Sequence, residues 1–364
     1  MPSLQPSDVE LLRGNRPSPQ EDHSTLSHLL NPWWEFAARF VPDTIAPNTL
    51  TVAGSLATLV PTLVQIHLAP TLSEAQPWWA CIAAMLGVFL FQTLDALDGK
   101  QARRTRTSSP LGSWLDHALD ILTIQFVFIG AAASMGMGVN AVFCFLLATV
   151  LLNNYLLHWE VHHTRLLYLG NGTSIAEAQV LCMAIHLATA VLGTPFWQQA
   201  TPVAGLRYSD LLALVAVVGV GWSGMLFSVT RARSAGARWA TLWQARGQLV
   251  LVMLIALAAL IVADAGLLLM YLLGIGLLGA RLVSELVLHN LLDRAPPALQ
   301  WSMLVPGVLL CAHAASIALA LPSYVHATLA TLCLGFCIIV TLARLSAIAR
   351  AMADALGIRI FSIR

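Results

Sequence analysis

Four carboxylates stand at spacings that could hold a cation: Asp95 and Asp98 three residues apart, Asp116 and Asp120 four apart. On helices each pair shares one face, and Gly112 lies one turn before Asp116 on the same face. A short turn through Ser109 and Pro110 would bring the two faces together. Charge crowds this stretch, where Lys100, Arg103, Arg104 and Arg106 join the acids, while Ile121 to Trp159 carries none. Converging carboxylates repel one another, and a divalent metal is the usual relief. Hard oxygen donors suit Mg²⁺, Mn²⁺ or Ca²⁺ rather than zinc. Carboxylates, metal and guanidinium together suit a ligand carrying phosphate or pyrophosphate. Gly99 and Gly112 lack side chains and would let a helix backbone or a ligand approach. A loop of capping acids and arginines would explain the basic residues, but it explains four spaced acids poorly.

The elements that must position these groups are membrane spans. Of 364 residues, 58% are hydrophobic and 10% charged, against about 25% charged in ordinary soluble domains. At ~20 apolar residues per span, the stock suffices for about ten. Spans are expected near 47–69, 78–98, 111–134, 138–158, 174–193, 210–230, 248–264, 265–290, 301–320 and 323–343. The fold class expected is all-α, a polytopic helix bundle. The polar stretch 1–23 reads as a disordered tail without a signal peptide's apolar core. Residues 24–41, with Trp33, Trp34, Phe36 and Phe40 beside Glu35 and Arg39, read as an interfacial helix. The catalytic core is expected over 42–200, further spans over 201–350 and a cytosolic tail over 351–364. With the N-terminus in the cytosol and ten spans, every Lys and Arg except Arg207 and Arg281 falls in cytosolic segments, as the positive-inside rule asks. A net charge of +1 gives no pull toward nucleic acid.

The remaining polar residues have plainer readings. The six cysteines lie in apolar runs and read as buried small hydrophobes. His162 and His163 read as loop residues near a headgroup, and His186 as a hydrogen-bonded core histidine. Arg281 and Glu285 are one helical turn apart and should pair. Asn171-Gly-Thr173 is a glycosylation sequon by pattern, placed by this topology in the cytosol and so unused.

The stretch from Asp95 to Asp120 meets every fixed position of D-x2-D-G-x2-A-R-x8-G-x3-D-x3-D, the signature of the CDP-alcohol phosphotransferase family. DGKQARRTRTSSPLGSWLDHALD resembles the choline/ethanolamine branch of that family. APNTLTVAG (Ala46–Gly54) and HWEVHHTRLLYLGNGTSIAEAQ (His158–Gln179) are similar to that branch's first span and central loop. The likeness runs from about Trp33 to Trp197. Ser113-Trp114-Leu115 and Ala118-Leu119 depart from close relatives, and neither departure removes an acid.

The resemblance implies transfer of phosphocholine or phosphoethanolamine from CDP-choline or CDP-ethanolamine to the hydroxyl of diacylglycerol, releasing CMP. It implies that Asp95, Asp98, Asp116 and Asp120 hold two ions, Mg²⁺ or Mn²⁺. A carboxylate that ligates metal is a poor base. His117, beside Asp116, is therefore expected to take the hydroxyl proton, as the branch also implies. Glu177 matches the acid that assists that histidine. Asn48, Gly99, Gln101, Arg103 and Gly112 are candidates for contacting the donor substrate. The implied setting is the endoplasmic reticulum or Golgi membrane, with the site facing the cytosol. A homodimer is compatible with the sequence without being dictated by it. Other readings are an inositol- or sphingolipid-type member of the family, a divalent-cation transporter, or a lipid-binding scaffold. Prenyltransferases of membranes also carry Asp-rich motifs, but at a different spacing.

Overall fold

Proline and short polar side chains start several helices of this chain, those beginning at Thr25, Pro47, Pro110, Ala141 and Ala265 among them, in the computed structural model. It describes residues 6–14, 19–170, 175–203, 205–295 and 300–363. Three short elements come first: α1 (Pro6–Gly14), β1 (Gln20–Asp22) and α2 (Thr25–Ala38). Then follow α3 (Pro47–Leu68), α4 (Trp78–Arg104), α5 (Pro110–Met135) and α6 (Ala141–Thr164). Strand β2 (Leu167–Leu169), α7 (Ile175–Leu192) and the single turn α8 (Thr194–Trp197) come next. Helix α9 (Tyr208–Ala216) widens into a π-type stretch, Val217–Trp222, and continues as α10 (Ser223–Ser234). The rest is α11 (Arg246–Ile261), α12 (Ala265–Leu291), α13 (Leu304–Ala318) and α14 (Ser323–Leu356). Among the described residues, ten helical segments are long and apolar enough to cross a membrane. Each coincides with one of the ten spans expected from composition. The chain is thus a polytopic helical bundle.

Local chemistry accounts for the boundaries. Pro47 and Pro110 stand at the first turns of α3 and α5, where a missing N–H costs nothing. The Ser109 hydroxyl accepts from the Gly112 amide at 3.1 Å and so starts α5. Asn140 Oδ1 caps α6 through the Phe143 amide at 3.0 Å. Asp264 Oδ1 caps α12 through the Leu267 amide at 2.8 Å, which fixes the break between the seventh and eighth spans. Helix α5 ends at Gly136, whose φ of +60° is left-handed.

The interhelical loops gather at two ends. At one, the amides of Gly138 and Val139 donate to Leu72 O and Thr71 O, and Gln198 Nε2 donates to Gly136 O at 2.8 Å. The other end holds the acids and most of the arginines. There Arg165 pairs with Asp293, and Arg294 with Asp8 at 2.6 Å. Between the ends, α5 and α12 are the most enclosed spans, and Trp114 of α5 donates to Ser284 O of α12 at 2.9 Å. Helices α3 and α4 touch at Gly87, where a Cβ would fall 2.3 Å from Ala57 O. Gln65 Nε2 donates to Ser134 Oγ at 2.8 Å, and that hydroxyl also bonds His186 Nδ1 at 2.8 Å. His186 is therefore the hydrogen-bonded core histidine expected.

Three features differ from the sequence reading. The stretch 1–23, expected as a disordered tail, contains α1 and β1. Leu12 is fully buried, Asp8 pairs with Arg294, and β1 lies parallel to β2 with Gln20 opposite Leu167. These contacts supply the apolar and ionic partners that a polar stretch lacks by itself. The expected tail 351–364 begins inside α14, because Met352 and Ala353 are still buried. Cys311 is exposed, unlike the other cysteines, because it lies on the outer face of α13. The sequon Asn171-Gly-Thr173 lies outside the described residues.

Candidate active site

The four acids come from two antiparallel helices whose ends are tied by a five-residue turn, 105–109. Asp95 and Asp98 face inward from the last turns of α4, and Asp116 and Asp120 from the first turns of α5. Carboxylate oxygens of Asp95, Asp98 and Asp116 all lie within 4.8 Å of one another. Asp116 and Asp120 lie equally close to each other and to a ring nitrogen of His117. Two unit negative charges at that separation repel by about 3 kcal/mol at an effective dielectric of ~20. Asp98 Oδ2 accepts the Thr51 hydroxyl of α3 at 2.6 Å. Asp116 Oδ1 and Asp120 Oδ1 are buried and accept from no protein donor. Orphaned carboxylate oxygens in an all-oxygen set of like charge fit a hard divalent cation.

These groups line a cavity of about 340 Å³. Gly99, Lys100 and Arg103 are among its lining residues, as are His117 and His158. A Cβ at Gly99 would meet only the Arg103 guanidinium, at 3.4 Å. Gly99 thus leaves room for a ligand and does not serve a helix contact. The N-terminal segment covers the same cavity with Asp22, Ser27, Asn31 and Trp34. Lys100 holds that segment by bonding Glu35 and, at 3.1 Å, Asn31 Oδ1. The Lys100 ammonium keeps the exposed Glu35 carboxyl below the usual carboxylate range.

The other candidates are placed differently. Gln101 is buried, and its amide donates to Pro42 O at 3.0 Å and Ile45 O at 2.8 Å, holding the loop that leads into α3. Asn48 Nδ2 donates to Ile360 O at 2.6 Å, and its Oδ1 lies beside Gly112. Neither Asn48, Gln101 nor Gly112 lines the cavity that holds the acids. Glu177 accepts the Ser24 hydroxyl at 2.6 Å. It lines a second cavity of about 490 Å³, walled mainly by apolar side chains of α5, α6, α7 and the α9–α10 segment. Glu160, Arg231 and Tyr168 form a polar corner of that cavity, with Arg231 Nε 2.5 Å from Glu160 Oε1 and its guanidinium over the Tyr168 ring. Ile124, Asn154, Leu157, Leu169 and Ile175 border both cavities.

The spacing of the acids does not point to Thr51, His158 or the N-terminal cover. Thr51 is one polar residue among many in an apolar span, and its register against Asp98 depends on how α3 packs on α4. His158 stands 38 residues past Asp120 in sequence, and only the packing of α6 beside α5 brings it in.

The sequence pattern of the CDP-alcohol phosphatidyltransferases matches residues 44–201, the segment that carries all four acids. Residues 44–201 belong to the CDP-alcohol phosphatidyltransferase family. The chain is 35% identical to cholinephosphotransferase 1 of Gallus gallus over 218 residues, 60% of this chain and 63% of that one. It is 34% identical to cholinephosphotransferase 1 of Mus musculus over 197 residues, 54% of this chain and 48% of the relative. A Dictyostelium discoideum protein described as an uncharacterized CDP-alcohol phosphatidyltransferase class-I family protein 2 is 37% identical over 172 residues, 47% of this chain and 42% of its own. The matches thus span between about two fifths and just over three fifths of the length of these curated relatives. The likeness is to the cholinephosphotransferase branch, as the Asp98–Asp120 wording suggests.

Proposed function

We propose that the chain is a choline/ethanolamine phosphotransferase. It would move phosphocholine or phosphoethanolamine from the CDP-alcohol to the hydroxyl of 1,2-diacylglycerol, giving phosphatidylcholine or phosphatidylethanolamine and CMP. The observation that carries this reading is the junction of two cavities. A carboxylate-lined one of about 340 Å³ suits a metal-bound pyrophosphate, and an apolar one of about 490 Å³ beside it suits a lipid alcohol.

Asp95, Asp98, Asp116 and Asp120 would hold two ions, Mg²⁺ or Mn²⁺, which when bound supply charge neutralisation for the pyrophosphate and the leaving CMP. Thr51 keeps Asp98 in its orientation through the 2.6 Å bond. Arg103 and Lys100 add positive charge on the cavity's phosphate side. Asn48, Gln101 and Gly112 act on this reading through the loop and turn they brace. As the acceptor oxygen bonds to phosphorus, the phosphorus–oxygen bond to CMP breaks, and the hydroxyl proton passes to His117. Glu177, beside the apolar cavity, is proposed to assist and to face the acceptor. The apolar walls keep water from competing as acceptor. The setting proposed is the endoplasmic reticulum or Golgi membrane with the acids on the cytosolic side, and pairing into a homodimer is left to measurement.

The test supplies membranes containing the protein with labelled CDP-choline, CDP-ethanolamine and diacylglycerol, with and without Mg²⁺. Metal-dependent labelled phospholipid is the expected product, and competition between the donors gives the headgroup preference. Labelled phospholipid from CDP-diacylglycerol and labelled inositol, with none from CDP-choline or CDP-ethanolamine, would move the protein to another member class.

A further inference from the structure

His158 belongs to neither the carboxylate set nor the sequence-derived list of site residues, yet it is built into the cavity wall. It is 7% exposed and sits on α6. Its Nδ1 lies 2.9 Å from Asn154 O. A carbonyl only accepts, so Nδ1 carries the hydrogen and the neutral ring keeps its lone pair at Nε2. That Nε2 is buried and meets no protein donor. The backbone is held as firmly, because Asn290 Nδ2 donates to His158 O at 2.9 Å and ties α6 to α12. The ring meets His117 edge to face, with centroids 5.7 Å apart.

A buried acceptor without a donor costs desolvation unless a ligand supplies one. An ionised phosphate has no proton to offer such a lone pair, whereas a hydroxyl does. The position selects which hydroxyl. Asn154 and Leu157, on the turn before His158, border both the carboxylate cavity and the apolar one. A lipid alcohol entering from the apolar side passes His158 as it approaches the acids.

We propose that His158 is a substrate-contacting residue whose Nε2 accepts the hydrogen bond of the lipid acceptor's hydroxyl and so positions that oxygen toward phosphorus. The inference rests on the phosphotransferase reading and deepens it. The hydroxyl docks on His158, and rotation about its C–O bond turns the proton to the adjoining His117 when the oxygen attacks. Two histidines thus divide the acceptor's handling, one holding and one taking the proton.

The test uses the full-length protein in lipid nanodiscs with Mg²⁺, CDP-choline and dioleoylglycerol. The quantities read are the acceptor KM, the donor KM and the ratio of phospholipid formed to CDP-choline hydrolysed by water. His158→Phe should raise the acceptor KM and shift the product ratio toward hydrolysis, each by ~10-fold or more, with the donor KM changed by less than about 2-fold. His158→Gln, whose amide oxygen still accepts, should recover most of both, and it carries the test if the Phe variant fails to fold. An active wild-type protein whose variants keep the wild-type acceptor KM and product ratio would overturn the role of His158 alone. A rise in donor KM without a change for the acceptor would also overturn it, placing the lone pair on the nucleotide. A wild-type protein that transfers to no lipid alcohol would instead overturn the phosphotransferase reading, and this inference with it.

Discussion

Asp98 is the most firmly held carboxylate of the four, buried and bonded to Thr51 from a neighbouring helix. Asp116 and Asp120 keep oxygens that nothing in the protein satisfies. Removing one ligand charge should therefore remove the site while leaving the bundle intact. Asp98→Asn and Asp116→Asn are each expected to lower turnover by ~10³-fold or more with normal insertion in the membrane. Full turnover in EDTA would contradict the metal assignment. Thr51→Val keeps all four acids and should act more mildly, shifting the Mg²⁺ activation curve by about 10- to 100-fold in concentration. An unshifted curve would make the Thr51 bond a packing detail. His117→Ala and Glu177→Gln should each cost ~10²-fold in turnover with donor binding kept. If both variants turned over normally while Asp120→Asn did not, the proton would have to go to Asp120.

At the scale of elements, the acids converge because the short turn 105–109 and the Ser109 cap lead the chain from α4 directly into α5. Ser109 and Pro110 start α5 where the chain must reverse, so Asp116 and Asp120 enter the site from the helix's first turns. The same end of the bundle gathers Arg165, Arg294 and the basic end of α10. On the orientation proposed from positive-inside charge, that end faces the cytosol. Cysteine labelling from either side of sealed membranes tests this. Ala235→Cys, beyond α10, should react with reagent on the cytosolic side, and Ser73→Cys, between α3 and α4, only with reagent on the other. Asn171 should carry no glycan, and a glycan there would invert the orientation and move the acids with it.

Across the whole molecule, the C-terminal helices brace the catalytic ones through buried polar contacts. Glu285 of α12 accepts from Arg281 at 3.2 Å, from Arg344 of α14 at 2.8 Å and from Gln300. One turn of α12 thus carries both this network and Ser284, whose carbonyl holds Trp114 of α5, two residues before Asp116. Glu285→Ala would leave two guanidinium groups facing one another without their counter-ion. The expected loss is about 3–5 kcal/mol, seen as a lower unfolding temperature in detergent together with reduced turnover. An unchanged unfolding temperature would show that the network carries no stability.

Composition and spacing alone determined the ten spans, the all-helical class and the four acids, because each is a local property. A run of apolar residues long enough to cross a bilayer has few alternatives to a helix, and the i, i+3 and i, i+4 spacings place carboxylates on one face whatever surrounds them. The Arg281–Glu285 pair was legible for the same reason. The tertiary structure decided what depends on contacts between distant segments. It turned Gln101 toward the Pro42 and Ile45 carbonyls, set Asn48 against Ile360 and placed Glu177 on the apolar cavity. It brought His158 in beside His117, laid β1 over the site and set α1 against Arg294. Nothing in the polar residues 1–23 shows that Leu12 will find an apolar pocket or that β1 will find β2. Those partners lie more than a hundred residues away, and only the folded bundle supplies them.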